Sequence, residues 1–194
     1  MKLDLIFLDL DGVIVDCALP AMKVFGADLN HEREYPSKFG WDIAGATNYI
    51  RRRDDTSIYL PFWITEKEFW QALDFQWWAE LKPFPWAGLF IQELENYGDV
   101  RLATTPTAYT SCAGGKFEWV KKNLPQYLHK THISGIKTDF AHPNTLLIDD
   151  SDINCENFNA AGGVSILVPR PWNTRGYHEQ PYKVVMNELK EMTS

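Results

Sequence analysis

Three observations predict an α/β fold: a three-layer, doubly wound parallel sheet of Rossmann-like type, with a small helical cap inserted after the first strand. First, an apolar run of strand length, Leu3 to Leu8, ends at once in DLDG (Asp9 to Gly12). A distant run, Leu146 to Ile148, repeats the pattern and ends in Asp149 and Asp150. Such runs read as buried parallel strands, and open α/β sheets bind ligands at the carboxyl ends of their strands. Second, strand-like and helix-like segments alternate through the C-terminal half, as a parallel sheet covered by helices requires. Third, from Trp41 to Lys82 the alternation is lost and aromatic-rich helical pieces replace it. The boundaries that follow are a core of residues 1–26 and 83–194 and a cap of residues 27–82.

Each element has a local reason. After the first strand, a helix is expected from about Leu19 to Phe25, ended near Gly26, and residues 27 to 40 are polar and turn-rich. Thr65 with Glu68 three residues later is a capping-box signature, and Phe69, Leu73, Gln76 and Trp77 then share one helical face. The Pro-rich stretch Lys82 to Gly88 returns the chain to the core. Leu89 to Tyr97 reads as a helix closed by Gly98, Val100 to Thr104 as a strand, and Lys116 to Asn123 as a helix stopped before Pro125. Short strands are expected at Thr131 to Ser134 and Thr145 to Ile148. A helix over Ile153 to Ala161 ends at Gly162 and Gly163, a strand covers Val164 to Val168, and a last helix lies near Val184 to Met192.

Composition bounds the function. The 194 residues suit one α/β core plus an insert. A formal charge of −7 argues against a polynucleotide partner, which needs a Lys/Arg-lined surface, but allows a small anion held on a metal. Cys17, Cys112 and Cys155 are odd in number and without CxxC spacing, which suits a reducing compartment and no disulfide framework. The N-terminal apolar run is short and broken by Asp4 and Asp9, so neither a signal peptide nor a membrane span is expected, and the cytoplasm is the default location. A homodimer is compatible with the sequence. GxGxxG and GxxxxGK[ST] are absent, which leaves no warrant for a dinucleotide or a P-loop.

The chemistry concentrates at strand ends. Asp9 and Asp11 are two apart on an extended tip, so both carboxylates point into one cavity, where they repel unless a cation or shared proton separates them. Oxygen ligands suit Mg²⁺. A lone DxDG also fits an ordinary Asp-Gly turn; the second acidic tip favours a site, because only a sheet that joins distant strands sets two such tips side by side. Thr104 and Thr105 end a strand between them, and Lys116 follows on a helix. Alone, Thr104 would be a strand end and Lys116 a surface lysine.

In this order, Asp9 and Asp11, Thr104 and Thr105, Lys116, and Asp149 and Asp150 resemble the four motifs of the haloacid dehalogenase superfamily of phosphohydrolases, over residue 9 to about residue 154. The resemblance implies Asp9 as a nucleophile that forms an aspartyl-phosphate and Asp11 as acid and then base, with Gly12 allowing the tight turn. It implies Mg²⁺ held by Asp9, the main-chain carbonyl of Asp11 and Asp149. Thr104, Thr105 and Lys116 would bind phosphoryl oxygens, and Asp150 would assist the metal or orient Lys116. TTPT with KFEWVKKNL, FGWD, and FQWWAELKPFPWAG resemble the 5'(3')-deoxyribonucleotidases more narrowly. That implies cap aromatics facing base and sugar, with Trp77 and Trp78 foremost and Trp41 next; the other reading makes these rings the cap's own core. Thr105 stands where that family has Ser, and Ser151 where it has Arg. Asn154 is similar to the Asn that follows the acids in many other superfamily phosphatases.

The expectation is therefore a Mg²⁺-dependent phosphomonoesterase acting on (deoxy)nucleoside monophosphates. The alternatives are a phosphatase for a sugar phosphate or other small metabolite, and an inactive phosphate- or nucleotide-binding protein of the same fold. The charge run Arg51 to Asp55 reads as a solvated face, His129 and His132 as surface histidines, and Cys112 lacks an adjacent His to make it a thiolate nucleophile.

Overall fold

A computed structural model of the protein describes residues 2–54 and 62–194. Its sheet has five strands in the order β3-β2-β1-β4-β5: β1 Leu5–Leu8, β2 Asp99–Thr104, β3 Thr131–Ile133, β4 Thr145–Asp149 and β5 Val164–Leu167. All pairings are parallel. Helices cover both faces, so the three-layer α/β fold that the sequence predicts is the fold observed. The apolar character of β1 and β4 has its cause here: both are central, and β4 is buried at every position. Leu8 pairs with Leu102 on one side and Ile148 on the other, so the residues that follow, Asp9, Ala103 and Asp149, end at one level. The register thus sets the acidic tips of β1 and β4 side by side.

The helices are α1 Ala18–Val24, α2 Ile43–Asp54, α3 Glu66–Ala72, α4 Phe75–Ala79, α5 Ala87–Leu94, α6 Thr110–Asn123, α7 Asp152–Ala160 and α8 Pro181–Thr193. The capping box forms at α3: Thr65 Oγ1 accepts from Glu68 N, and Glu68 Oε2 accepts from Thr65 N. The single helical face expected from Phe69 to Trp77 does not. Leu73 is extended, and Asp74 Oδ1 accepts from Trp77 N at 2.8 Å, so a side-chain cap starts α4 afresh and turns Trp77 off the α3 face.

Helix α6 also differs. The sequence reading begins it at Lys116; the helix instead starts at Thr110 and runs through Gly114 and Gly115. A Cβ at Gly115 would lie 2.4 Å from Trp78 Cβ and 2.8 Å from the Phe75 carbonyl oxygen. The glycines are there for close approach of α4 to α6, which Trp119 Nε1 reinforces by donating to Leu81 O at 2.7 Å. Within the charge run, Arg51 to Asp54 end α2, Arg52 and Arg53 are exposed, and Asp55 lies outside the described residues. Among the described residues no helix is long and apolar enough to cross a membrane. Cys17, Cys112 and Cys155 are buried and free.

Candidate active site

The two acidic tips meet. One carboxylate oxygen each from Asp9, Asp149 and Asp150 lies within 4.8 Å of the others, and all three residues are buried. Lys137, itself 4% exposed, puts its Nζ 3.0 Å from Asp9 Oδ1 and 2.6 Å from Asp149 Oδ2. Asp149 is further held by Ser151 N at 2.9 Å and by Asn154 Nδ2 at 3.1 Å. Asp9 Oδ1, by contrast, has no aligned hydrogen-bond donor despite its nearness to Lys137. Burial is the largest influence on the Asp9 carboxyl and pushes it up to about 6; Lys137 opposes the shift, and Asp149 and Asp11 add to it. Burial, then the Asp149 and Asp9 charges, hold Asp150 well above the ordinary carboxyl range. Burial disfavours the Lys137 ammonium too, but Asp9 and Asp149 outweigh it and raise its pKa.

Beside this cluster stands a second charged pair. Lys116 lies in the second turn of α6, buried, with Nζ 2.5 Å from Asp11 Oδ2. It donates to Thr104 Oγ1 at 2.9 Å and to Thr105 O at 2.6 Å. Burial lowers its pKa, but the Asp11 charge leads the contributions that raise it overall. A cavity of about 540 Å³ opens over the acids, lined by Asp9, Asp11, Lys116, Asp150, Thr105 and Trp41, among others. Gly12, at φ +70°, allows the turn beneath it.

Of the residues singled out in the sequence, Asp9, Asp11, Thr105, Lys116, Asp150, Trp41 and Trp78 therefore share this cavity. Asp149 lies beneath it, fully buried, and Thr104 is also buried, its hydroxyl engaged by Lys116. Trp77 does not join them. It lines a second cavity with Asp16, Leu81 and Lys82, because the cap at Asp74 turns it away, and Trp70 of α3 enters the first cavity instead. Trp78 is 2% exposed and packs on α6, so it combines cavity wall with core. Asp150 does not orient Lys116: its carboxylate accepts from Trp172 Nε1 at 2.6 Å. Ser151 N-caps α7 by accepting from Asn154 N, which brings the Asn154 amide to Asp149. His129 is exposed, and His132 packs against Phe7 and Phe140. Lys137 is the residue that the sequence reading misses. Its only local signal is a single basic residue twelve positions before Asp149, in a short 3-10 helix without apolar periodicity.

Behind the turn at Gly12 lies a charge group of buried Arg170 with half-buried Asp16 and Glu32. Arg170 Nε donates to the Gly12 carbonyl, and Nη1 is 3.4 Å from Glu32 Oε2. Burial, then the Glu32 charge, push the Asp16 carboxyl up to about 6, against the pull of Arg170. A carboxyl raised on folding gives stability that is complete below its unfolded value near 4 and lost as pH rises through about 6. Asp16→Asn is accordingly expected to stabilise the protein at pH 7.5 by about 2 kcal/mol and to change little at pH 4. Calorimetric melting at the two pH values measures this; an equal effect at both would contradict it.

A family model described as "5' nucleotidase, deoxy (Pyrimidine), cytosolic type C protein" matches residues 3–184. Among solved structures, a conserved haloacid dehalogenase-like protein from Agrobacterium tumefaciens is similar over 100% of both chains, with TM-score 0.63 and 15% identity. The HAD-hydrolase YfnB from Bacillus subtilis, solved bound to magnesium, is similar over 97% of this chain and 99% of that one (TM-score 0.57, 11% identity). A haloacid dehalogenase-like hydrolase from Xanthomonas campestris is similar over 98% and 93% (TM-score 0.53, 9% identity). At these identities the structural likeness is one of fold.

Proposed function

The chain belongs to this deoxy-pyrimidine 5'-nucleotidase family and is a haloacid dehalogenase-type phosphohydrolase; on that premise we propose that it hydrolyses deoxynucleoside monophosphates through a phosphorylated Asp9. The observation that carries the reading is the meeting of Asp9 with Asp149 and Asp150, buried carboxylates from two distant strand ends, with Asp9 and Asp150 lining one cavity and Asp149 beneath it. Three such groups stay together only with compensating charge or bound protons; Lys137 supplies one charge, and the donor set left is oxygen alone, with Asp9 Oδ1 lacking an aligned donor. That set fits a hard divalent cation, and Asp9, Asp149, Asp150 and the Asp11 carbonyl would hold Mg²⁺. When bound, it offsets the negative charge of nucleophile and phosphate.

The chain's own residues do the rest. An Asp9 oxygen attacks phosphorus, and the bond from phosphorus to the ester oxygen breaks as Asp11 gives that oxygen its proton. Asp11, now a carboxylate, takes a proton from water; the water oxygen attacks phosphorus, the bond to Asp9 breaks, and orthophosphate leaves. Lys116, its Nζ 2.5 Å from Asp11 Oδ2, stands at the cavity wall to meet the phosphoryl oxygens with Thr105. Thr104 holds Lys116 in place. Lys137 pins Asp9 and Asp149 at a fixed separation. Residues 27–82 act as the cap, with Trp41 and Trp70 as walls on which a base stacks, worth about 1–3 kcal/mol.

The test is phosphate release from a panel of deoxynucleoside monophosphates and sugar phosphates, with Mg²⁺ and with EDTA. Deoxynucleotides are expected to be preferred in kcat/KM by about tenfold or more, the worth of one stacked base. EDTA is expected to abolish release and Mg²⁺ to restore it. A preference for sugar phosphates would replace the nucleotide assignment, and tight nucleotide binding without release would make the protein a binder.

A further inference from the structure

The geometry points to Trp172 as a positioning residue that fixes the Asp150 carboxylate and ties its orientation to the aromatic wall of the substrate cavity. The turn that follows β5 straps both acidic tips. Arg170 Nε donates to the Gly12 carbonyl beyond the β1 tip. Asn173 Nδ2 donates to Asp150 O at 2.8 Å and to Val168 O at 2.7 Å. Trp172 Nε1 donates to Asp150 Oδ2 at 2.6 Å.

The two neighbouring acids are held very differently. Asp149 takes hydrogen bonds from Lys137, from the Ser151 backbone and from Asn154, so losing any one leaves it oriented. Among the described residues, Trp172 is the one side chain that donates to the Asp150 carboxylate. Asp150 sits in a slot between that indole and Gly12: a Cβ on Gly12 would fall 2.0 Å from Asp150 Oδ2 and 3.1 Å from the Trp172 ring. An indole suits the task, being a donor without acceptor capacity on a rigid, buried ring.

The ring also faces the substrate side. Trp41 meets it edge to face with centroids 5.3 Å apart, and Tyr35 does so at 5.6 Å. Trp41 is 43% exposed and lines the cavity. A base that stacks on Trp41 thus presses on the ring that holds Asp150, so ligand and metal reinforce each other's binding. The inference rests on the cation site proposed above.

Mn²⁺ titration followed by electron paramagnetic resonance, without substrate, provides the test. Trp172→Phe keeps the ring and removes the N–H. It is expected to raise the Mn²⁺ dissociation constant about tenfold, as loss of an outer-sphere partner does. Adding thymidine is expected to tighten Mn²⁺ binding by wild type about fivefold, and not by Trp172→Phe. A wild type that binds no Mn²⁺ would remove the cation site itself. A wild type that binds it, with Trp172→Phe of equal affinity, would overturn the positioning role alone, and equal tightening by thymidine in both proteins would overturn the tie to the wall. Should the variant fail to fold, ¹⁵N-indole spectra of wild type supply a second readout. One indole N–H resonance, held downfield by a carboxylate, is expected to move as Mg²⁺ is added; no metal-responsive downfield indole resonance would overturn the proposal.

Discussion

Asp9→Asn is expected to lower kcat for phosphate release by about ten-thousand-fold or more, because an amide oxygen is a poor nucleophile toward phosphorus and nothing else in the cavity replaces it. The fold is expected to survive. Asp9 is buried beside Asp149 and Asp11, and burial already pushes its carboxyl up to about 6, so its ionised form weakens the folded state above that pH. Removing the charge also relieves repulsion with Asp149, while Lys137 keeps its shorter contact to Asp149. Melting temperature at pH 7.5 is therefore expected to hold or rise. Steady-state kinetics with matched melting curves checks both halves, and a variant that keeps full turnover would remove the nucleophile assignment.

The second large effect is expected at Lys137. Its ammonium is the one positive charge that touches both Asp9 and Asp149 among the described residues, at 3.0 and 2.6 Å. Lys137→Met leaves two buried carboxylates uncompensated, a change that costs about 3–5 kcal/mol in comparable buried pairs. In EDTA the variant is expected to melt well below wild type. A divalent cation supplies charge at the same place, so added Mg²⁺ is expected to recover much of the loss, and the gap between melting in EDTA and in Mg²⁺ should widen in the variant. Activity is expected to fall by about a hundredfold to a thousandfold even with Mg²⁺, through lost alignment of Asp9. Equal melting of variant and wild type in EDTA would show that Lys137 does not balance the acids.

The convergence behind both predictions is partly legible in the sequence. Apolar strands that end in acids announce themselves, because β1 and β4 are central and must be apolar along their whole length while their tips face the cavity. The Thr65 and Glu68 pair is equally plain, since a capping box is a local device and needs no tertiary contact. Lys137 is not legible for the opposite reason. It follows the short edge strand β3, in a segment without periodicity, and only the packing of that loop over the β1 and β4 tips gives it partners. The first turn of α6 is not legible because nothing local marks a start at Thr110, and the reason for Gly114 and Gly115 is a tertiary contact: Phe75 and Trp78 need the space. Trp77 misleads because Asp74 stops one helix and caps the next, which changes which indole meets the cavity. The Arg170 to Asn173 turn reads as loop, and its function lies in hydrogen bonds to residues far away in the chain.

The most direct measurement is the fate of the phosphoryl group itself. Wild-type protein with Mg²⁺ and a ³²P-labelled deoxynucleoside monophosphate, quenched in acid within one turnover and mapped by peptide, should carry label on Asp9 and lose it on a chase with unlabelled substrate. Rapid turnover with no protein-bound label, or label on a residue outside the cavity, would contradict attack by Asp9.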